Sequence, residues 1–346
     1  MKHQTTRYGE IPFYKIGTFG NTADAFISKK LFLEYKTKYS FPKKGDILIS
    51  ASGTIGRAVI YDGKPAYFQD SNIVWIDNDE TLVKNDFLFY AYSHVKWNTE
   101  HTTILRLYND NFRNTLIPLP PLNEQIAIAN ILSDVDRYLY SLDALILKKE
   151  SVKKALSFEL LSQRKRLKGF NQAWQRVRLG DICNYLTSNL SAEQITQQGK
   201  IKVYDVNNFI GYTDTTFISD KPYISIVKDG SVGRVRILPP KTNILSTMGA
   251  LIANHRTTTE FLFYLLSNFD FKNFTSGSII PHIYFKDYKE KTIFLPPLNE
   301  QIAIANILSA LDNEIASLKN KKRQFENIKK ALNHDLMSAK IRVLKK

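Results

Sequence analysis

One stretch of this chain occurs twice without a single change. LPPLNEQIAIANILS occupies residues 119–133 and again residues 295–309. Each copy opens a long segment of periodic apolar residues that runs into a lysine-rich end. A repeat of this kind predicts a chain built from two like units, so every other assignment has to fit the duplication.

The length and the amino-acid composition of the chain are those of a folded protein with more than one domain. A chain of 346 residues with 43% hydrophobic residues has enough material for two or three cores. Its 21 Phe and 18 Tyr favour β-rich modules with aromatic packing. The single cysteine, Cys183, excludes an internal disulfide and is most simply a small buried residue in a reducing compartment.

The sequence predicts a soluble cytoplasmic protein with a basic surface. No apolar run approaches the roughly 18 residues that span a bilayer, and the N-terminus lacks the apolar core of a signal peptide. The net charge of +15 makes nucleic acid the first candidate partner, because lysine and arginine gain affinity by neutralising phosphates. An anionic membrane surface or a merely solvated basic face are weaker alternatives.

Short β-branched and aromatic runs separated by Gly, Asp and Asn predict strands in both halves. ILIS, AVIY, AYF and IVWI follow one another within residues 41–77, and IKVYDV, YISIV and RVRIL follow within residues 201–238. A helical pattern, FLFYAYSHV, occupies residues 87–95, and its match FLFYLLSNF occupies residues 261–269. Each half is therefore predicted to be a β-rich domain with one packed helix.

After each Pro-Pro the pattern predicts a long helix. Asn123 is the expected N-cap, and Glu124 places a negative charge in the first turn. Apolar residues then recur at alternating spacings of four and three, which is a heptad seam. The seam residues are Ile128, Leu132, Val135, Leu139, Leu142 and Ile146, and in the second copy Ile304, Leu308, Leu311, Ile315, Leu318 and Phe325. Each helix would be about 60 Å long, and two such seams most simply pack against each other.

The predicted fold class is therefore α+β, with two β-rich domains that are each followed by a long helix. The expected boundaries are residues 1–121 for the first domain, 122–168 for the central helix, 169–297 for the second domain and 298–346 for the C-terminal helix.

The paired LPPLNEQ segments, the Gly-x-x-Gly turn after GDILIS and the two-unit layout resemble the specificity subunits of type I restriction-modification enzymes. The resemblance covers nearly the whole chain. It implies two target-recognition domains that each read half of a bipartite site in double-stranded DNA. It also implies an antiparallel, pseudo-twofold coiled coil that sets the spacer between the half-sites.

The same resemblance implies a chain without catalytic activity or cofactor. The expected partners are two type I methyltransferase (modification) subunits and restriction/translocase subunits. S-adenosylmethionine, ATP and Mg²⁺ would be used by those partners.

One feature departs from the family pattern. The second unit begins with a segment, residues 174–196, that has no counterpart before Tyr8. Family members begin each recognition domain with such an LGDI-type segment. Either the start of the first domain is truncated, or this domain is built differently.

The glycine turns are the first candidates for DNA contact. Their backbone N–H groups could hold a phosphate, with an arginine adding charge. A tight hairpin turn that needs glycine only for its backbone is an equally simple interpretation. No Lys-Ser/Thr follows the glycines, which excludes a nucleotide P-loop. The candidates are Ser52, Gly53, Thr54, Gly56, Arg57, Gly230, Ser231, Gly233 and Arg234.

Polar residues before each Pro-Pro, and a few near them, are the second group. Small polar side chains beside Arg or His suit contacts to bases or phosphates, although an ordinary surface loop has the same composition. These candidates are Gln69, Asn72, Thr102, Thr103, Arg106, Arg113, Ser276, Ser278 and His282. Lysine runs of helices are more often solvated, but the basic total of this chain favours a DNA-facing role for some of them, not all.

The sequence contains no recognisable catalytic or metal-binding pattern. The six histidines show no close ligand spacing, and no catalytic residue, cofactor loop or metal site is predicted. Two alternatives remain open. One is a self-contained restriction or modification enzyme with an unrecognised active site, and the other is a basic coiled-coil adaptor without sequence specificity.

Overall fold

The computed structural model describes residues 4–68, 72–97 and 106–344, and these form two compact units. Unit 1 is the described part of residues 1–143 and 320–346, and unit 2 is residues 144–319. Each unit combines one globular part with one half of each long helix. The long helices are α4 (Leu122–Leu161) and α7 (Leu298–Met337).

In the globular part of unit 1, the described residues form six strands and three short helices. The strands are β1 (Ile11–Tyr14), β2 (Ala25–Ile27), β3 (Ile47–Ser50), β4 (Ala58–Ile60), β5 (Tyr67–Phe68) and β6 (Ile73–Ile76). The helices are α1 (Lys29–Lys38), α2 (Asn85–His94) and α3 (Asn109–Arg113). One sheet has the order β2-β1-β5, with β1 and β5 parallel, and the other has the antiparallel order β4-β3-β6.

Unit 2 repeats this plan with additional strands. The strands are β7 (Gln175–Arg178), β8 (Cys183–Thr187), β9 (Ile201–Tyr204), β10 (Phe209–Thr213), β11 (Tyr223–Val227), β12 (Val235–Leu238), β13 (Asn243–Ile244), β14 (Met248–Ala253), β15 (Thr275–Ser276), β16 (His282–Ile283) and β17 (Thr292–Leu295). The helices are α5 (Thr259–Ser267) and α6 (Phe285–Tyr288). The sheets are ordered β10-β9-β13 and β12-β11-β14-β8, with the pairs β15-β16 and β17-β7 beside them.

The predicted α+β class and most predicted elements are confirmed. ILIS, IVWI, YISIV and RVRIL lie in β3, β6, β11 and β12, and the two matching FLFY segments lie in α2 and α5. The three-stranded sheet around β1 corresponds to the one around β9, since both have one antiparallel and one parallel neighbour. The sequence did not reveal α1, which has no counterpart among the elements of unit 2.

The apolar positions of the predicted heptad seam can be compared with burial along both long helices. All twelve predicted seam residues are buried or half-buried. Within unit 1 the helix halves run antiparallel, because Asp136 and Asp143 of α4 pair with Lys329 and Lys322 of α7, in reverse order. Within unit 2 the helix halves are also antiparallel, because Lys149 and Lys153 of α4 pair with Glu314 and Asp312 of α7, in reverse order.

Lysines that interrupt the seam form ion pairs between the helices. In unit 2, Lys149 Nζ lies 2.7 Å from Glu314, and Lys153 Nζ lies 2.5 Å from Asp312. Lys319 pairs with Glu150 at 2.6 Å. Each of these lysines therefore has a carboxylate partner inside the chain, which favours a structural role over DNA contact.

The predicted N-cap of the first long helix is wrong by two positions. The helix begins at Leu122, so Asn123 lies inside the first turn, where its side-chain Oδ1 accepts from Glu124 N at 2.9 Å. The carbonyl of Pro121 accepts from the N–H groups of Glu124 and Gln125 instead. The two prolines hold the incoming chain extended, and the first turn closes two residues earlier than the side-chain pattern indicates.

The identical NEQ triplets hold each helix against its globular part. Gln125 is fully buried; its Nε2 donates to the carbonyls of Leu82 and Pro120, and its Oε1 accepts from Lys84 N. Gln301 is equally buried and bonds in the same way around Thr258 N, ahead of α5. Each glutamine satisfies backbone groups that would otherwise be buried without partners.

The glutamate of each triplet binds an arginine from beyond the end of the other long helix. In unit 1, Arg342 Nε and Nη2 donate to the two carboxylate oxygens of Glu124, both at 2.7 Å. In unit 2, Arg166 donates to Glu300 at 3.2 and 2.6 Å. The hydrogen bonds from Arg342 lower the pKa of Glu124, even though burial of the carboxylate acts in the opposite direction.

Replacing Gln125 by leucine should destabilise unit 1 strongly. The substitution keeps the volume but leaves three backbone groups, at Leu82, Lys84 and Pro120, without their buried partner. The expected loss is about 2–4 kcal/mol of unfolding free energy, measured by chemical denaturation. Ile126→Ala, at the exposed neighbouring position, is the control and should change stability by less than about 1 kcal/mol. Equal effects of the two substitutions would contradict this role of Gln125.

The ion pair of Glu124 should make stability depend on pH. Its pKa is lower in the folded chain than its ordinary value of 4.5, so the pair stabilises the fold above that pH and ceases to do so as the pH falls. Arg342→Met should therefore lower the midpoint of thermal unfolding at pH 7, and the difference from the parent chain should shrink towards pH 3. Arg113→Met, which disrupts only an exposed pair, should show no such pH-dependent difference.

Candidate nucleic-acid interface

The first glycine turn of unit 1 is a closed connection between β3 and β4. Ser50 N donates to Arg57 O at 2.9 Å, and Gly56 N donates to Ser50 O at 3.0 Å. The Ser50 hydroxyl lies inside the turn, where it donates to Thr54 O and accepts from Arg57 N. Gly53 and Gly56 have φ angles of 67° and 78°, which favour glycine. The geometry of the turn agrees with both interpretations. Its backbone needs glycine, as a tight hairpin turn does, and Gly53 and Thr54 are exposed, as a phosphate-binding turn requires.

An aromatic ring supports the second glycine of each turn. A Cβ on Gly56 would collide with the indole of Trp97, and a Cβ on Gly233 would lie 2.6 Å from the Phe271 ring. Gly230 has no such neighbour within 4 Å, although its φ of 83° also favours glycine. One glycine per turn is therefore needed for packing as well as for its backbone angle.

Three predicted candidates of unit 1 come together beside this turn. Ser52 is 7% exposed, and its hydroxyl donates to Asn72 Oδ1 at 2.7 Å. Ser52 also forms an antiparallel bridge with Arg106. The buried position of Ser52 favours a supporting role, whereas Arg106 is exposed beside it. Gln69, Thr102 and Thr103 lie outside the described residues.

Arg57 links the turn to a second loop. Its Nη1 donates to the carbonyl of Phe19, in the loop that follows β1, at 2.9 Å. The guanidinium remains partly exposed, so it can still contact a phosphate while it holds the two loops together. Arg113 lies on α3 and forms an exposed ion pair with Asp110 at 3.5 Å.

The corresponding turn of unit 2 joins three loops. Arg234 Nη2 donates to Asn207 Oδ1 at 2.9 Å, which ties the turn to the loop between β9 and β10. Gly230 N donates to Pro281 O at 2.9 Å, which ties it to the β15–β16 connection. His282 Nδ1 lies 2.7 Å from Asp229 Oδ1 at the same junction. The candidates Gly230, Arg234 and His282 are thus brought together by direct contacts.

The tip of the β15–β16 connection projects from this cluster. Ser276 and Ser278 are both exposed there, as is Ser231 in the glycine turn. Ile279, between them and the cluster, is 93% exposed, and Ile280 is also exposed. Neither isoleucine is among the predicted candidates, although two apolar residues in a Ser/Gly-rich loop could have indicated a binding surface. Lys228 and Arg236 were also missed; Arg236 Nη1 donates to Asn207 O.

Among the described residues, no group of three or more His, Cys, Asp or Glu could hold a metal ion. Cys183 is buried, and burial raises the pKa of its thiol to about 12, which makes it a poor nucleophile. Among the described helices, none is long and apolar enough to cross a membrane.

Comparison with solved structures identifies the same fold. A type I restriction-modification S subunit from M. genitalium matches with a TM-score of 0.64 and 20% identity, over 97% of this chain and 91% of that one. A chain from a structure of type I restriction-modification complex assembly matches with a TM-score of 0.53 and 16% identity, over 85% and 82% of the two chains. At these identities the likeness concerns the fold alone.

Sequence comparison places the chain in a family. A putative type I restriction enzyme specificity subunit from Haemophilus influenzae is 65% identical over 133 residues, which is 38% of this chain and only 34% of that protein. The putative MjaX specificity subunit from Methanocaldococcus jannaschii is 30% identical over 335 residues, which is 86% of this chain and 79% of that protein. The family model described as the type I restriction modification DNA specificity domain matches twice, at residues 1–149 and 171–327. With both units matched, this chain belongs to the family of type I restriction-modification specificity subunits.

Proposed function

We propose that this chain reads a bipartite site in double-stranded DNA, with one half-site bound by each unit. The observation that carries the proposal is the equivalent loop cluster in the two units. In both, a Gly-x-x-Gly turn is tied by an arginine to the loop after β1 or β9, and by backbone pairing to a later segment. The backbones correspond while the exposed side chains differ, which suits two domains that read different sequences.

The basic residues of the two loop clusters suit contacts to DNA phosphates, and other residues would contact the bases. Arg57 and Arg106 lie at the cluster of unit 1, and Lys228, Arg234 and Arg236 lie at that of unit 2. Such side chains neutralise phosphates and orient a protein on the duplex, whereas sequence is read at the base edges. The tip residues, 276–280, are exposed, and in this proposal they would contact those edges.

The long helices would set the distance between the half-sites. Each has forty residues, so each is about 60 Å long. The lysine–carboxylate pairs inside the seam favour one register, because a shift of either helix would separate several of them together. A register of this kind suits a helix pair that works as a spacer.

Methylation and cleavage would come from partner subunits, which would use S-adenosylmethionine, ATP and Mg²⁺. The identical repeat leaves a matching apolar pair exposed at the start of each long helix: Leu122 and Ile126 on α4, and Leu298 and Ile302 on α7. Two identical exposed surfaces suit two copies of one modification subunit. Neither the self-contained enzyme nor the non-specific adaptor accounts for two equivalent loop clusters on one helix pair.

Substitution of the unit 2 tip should change one half-site only. Ile279→Ser combined with Ile280→Ser removes apolar groups suited to thymine methyls, and should relax recognition there by about 1–3 kcal/mol per affected base pair. The measurement is methylome sequencing of cells that carry this chain with its modification subunit. The parent should give a split methylated motif, and the variant a motif degenerate in one half.

Two controls make this experiment decisive. Leu33→Ser, at an exposed apolar position of α1, should leave the half-site assigned to unit 2 unchanged. Cells without the modification subunit should show no methylated motif. Methylation in those cells would favour the self-contained enzyme, and a motif unaffected by the tip variant would contradict the role of residues 276–280.

Removing one heptad from each long helix should shorten the spacer. Deleting residues 141–147 and 317–323 removes equivalent heptads and keeps the remaining seam in register. Each helix loses about 10 Å, which corresponds to about 3 base pairs of DNA. The spacer in the methylated motif should shrink accordingly. An unchanged spacer would show that the helices do not set the separation.

A further inference from the structure

A later segment of unit 1 pairs with the glycine turn and places one exposed side chain beside it. Ser52 precedes the first glycine of the turn and forms an isolated antiparallel bridge with Arg106. The next residue, Leu107, donates its N–H to the carbonyl of Ala51 at 2.8 Å. Leu107 is buried, whereas Arg106 is exposed. The pairing thus fixes the backbone of Arg106 and leaves its side chain at the surface.

Unit 2 contains the same arrangement at the corresponding positions. Asp229 precedes the first glycine of its turn and forms an isolated antiparallel bridge with His282. The next residue, Ile283, is buried and donates its N–H to the carbonyl of Lys228 at 2.9 Å. The paired segments therefore match residue for residue, and His282 occupies the position in unit 2 that Arg106 occupies in unit 1.

The His282 ring is positioned by contacts on several sides. Its Nδ1 lies 2.7 Å from Asp229 Oδ1, a distance typical of a hydrogen bond to a charged group. The Tyr284 ring is stacked with it at 6.5 Å between centroids, and a Cβ on Gly277 would lie 3.0 Å from its Cδ2. The His282 side chain nevertheless remains 35% exposed. A ring that is both oriented and accessible suits the recognition of a ligand.

The carboxylate of Asp229 determines which ring nitrogen is left for a ligand. A carboxylate only accepts hydrogen bonds, so the hydrogen of the neutral imidazole is on Nδ1. The other nitrogen, Nε2, then has a lone pair and accepts hydrogen bonds. Among the described residues, none donates to Nε2 of His282. A half-exposed pair of this kind adds little to stability, which favours a role in recognition.

Unit 1 presents the opposite hydrogen-bonding character at this position. An arginine side chain only donates, and Ser52 directs its hydroxyl to Asn72 Oδ1 and not to Arg106. In the major groove, arginine pairs with guanine O6 and N7, whereas an acceptor such as Nε2 suits the amino group of adenine or cytosine. Two equivalent positions of opposite character suit two half-sites that differ in the base read there.

Building on the proposed recognition of DNA by both units, we propose that residues 106 and 282 are equivalent base-reading positions. Asp229 orients His282 so that its Nε2 accepts from the amino group of an adenine or a cytosine. Arg106 binds a guanine at the equivalent position of the other half-site. Its charge also suits a phosphate, but its equivalence to His282 favours a base edge. Asp229 is a positioning residue, because it acts through the ring and does not touch DNA.

Placing the residues of one unit in the other tests this assignment. His282→Arg combined with Asp229→Ser gives unit 2 the pair found in unit 1. In cells that carry the modification subunit, methylome sequencing should show one position of one half-site change from adenine or cytosine to guanine. The preference for guanine over the parent base should be at least about tenfold, as expected for a bidentate arginine contact. The other half-site should be unchanged.

Glu260→Arg is the matched control for charge. It adds two positive charges at an exposed position of α5, as the double substitution does when His282 is neutral. It should leave both half-sites as they are in the parent chain. The same change of motif in the control and the double variant would overturn the assignment, because the effect would then be one of charge.

Arg106→Gln tests the equivalent position of unit 1. Glutamine pairs with adenine N6 and N7, so one guanine of the half-site read by unit 1 should become adenine, again by at least about tenfold. The half-site read by unit 2 should stay the same. Weaker methylation with an unaltered guanine, which a phosphate contact predicts, would overturn the assignment of Arg106.

Asp229→Asn tests the positioning role by itself. The amide keeps the size of the carboxylate but can donate to Nδ1, which moves the ring hydrogen to Nε2. The base preferred at that position should then become one with an acceptor, guanine or thymine. A purely structural role of Asp229 predicts weaker methylation with the same motif, and that result would overturn the positioning role.

Nitrogen NMR of the chain labelled at histidine gives a readout that needs no DNA. At slightly alkaline pH, Nδ1 of His282 should carry the hydrogen and Nε2 should not, and Asp229→Asn should reverse this. His282→Gln removes the signal and so identifies it. A hydrogen on Nε2 in the parent chain would overturn the proposed acceptor.

The methylated motif of the parent chain separates these base contacts from DNA recognition itself. A split motif that the variants leave unchanged would overturn the roles of residues 106 and 282 while bipartite recognition stands. A parent chain that gives no split motif would contradict both.

Discussion

The rest of the structure depends on how each long helix is fastened to its globular part. The fastening uses two adjacent buried side chains, a glutamate and a glutamine, in the first turn of the helix. In unit 1 these are Glu124, which binds Arg342, and Gln125, which binds the backbone ahead of α2. A buried carboxylate is costly unless it is paired, so the position of Arg342 is as tightly constrained as the helix itself. This accounts for the presence of the same glutamate and glutamine in both copies of the repeat.

In each unit, one aspartate side chain connects three helices. Tyr90 of α2 donates to Asp136 of α4 at 2.8 Å, and Lys329 of α7 pairs with the same carboxylate. In unit 2, Tyr264 donates to Asp312 at 2.9 Å, and Lys153 pairs with it. Burial, together with the neighbouring carboxylate, raises the pKa of both tyrosines, which therefore remain hydrogen-bond donors. The lysines that interrupt the heptad seam are thus the cations that this arrangement needs.

The sequence alone was enough for features that depend on periodicity and repetition. The two helices and most strands follow from apolar spacing, and the structure confirms them. It was not enough where partners distant in sequence decide the outcome. Asn123 has the character of an N-cap, but two prolines start the helix earlier; Ser52 reads as a surface polar residue, but its hydroxyl is buried against Asn72. No local pattern distinguishes such cases, since the deciding contact comes from another part of the chain.

Leu119 and Leu295 show the same limit within a single sequence motif. Both belong to the identical repeat, yet one is exposed and the other is buried, because β7 lies against only one of them. The two Gly-x-x-Gly turns show the opposite case, in which different side-chain contacts accompany the same backbone structure. Gly56 and Gly233 pack on different rings, and Arg57 and Arg234 bind different acceptors, yet both turns close in the same way. A scaffold that fixes the turn through backbone hydrogen bonds allows the surrounding side chains to change without loss of the turn. Sequence variation at such loops can therefore alter what the two units recognise while the helices that join them stay the same.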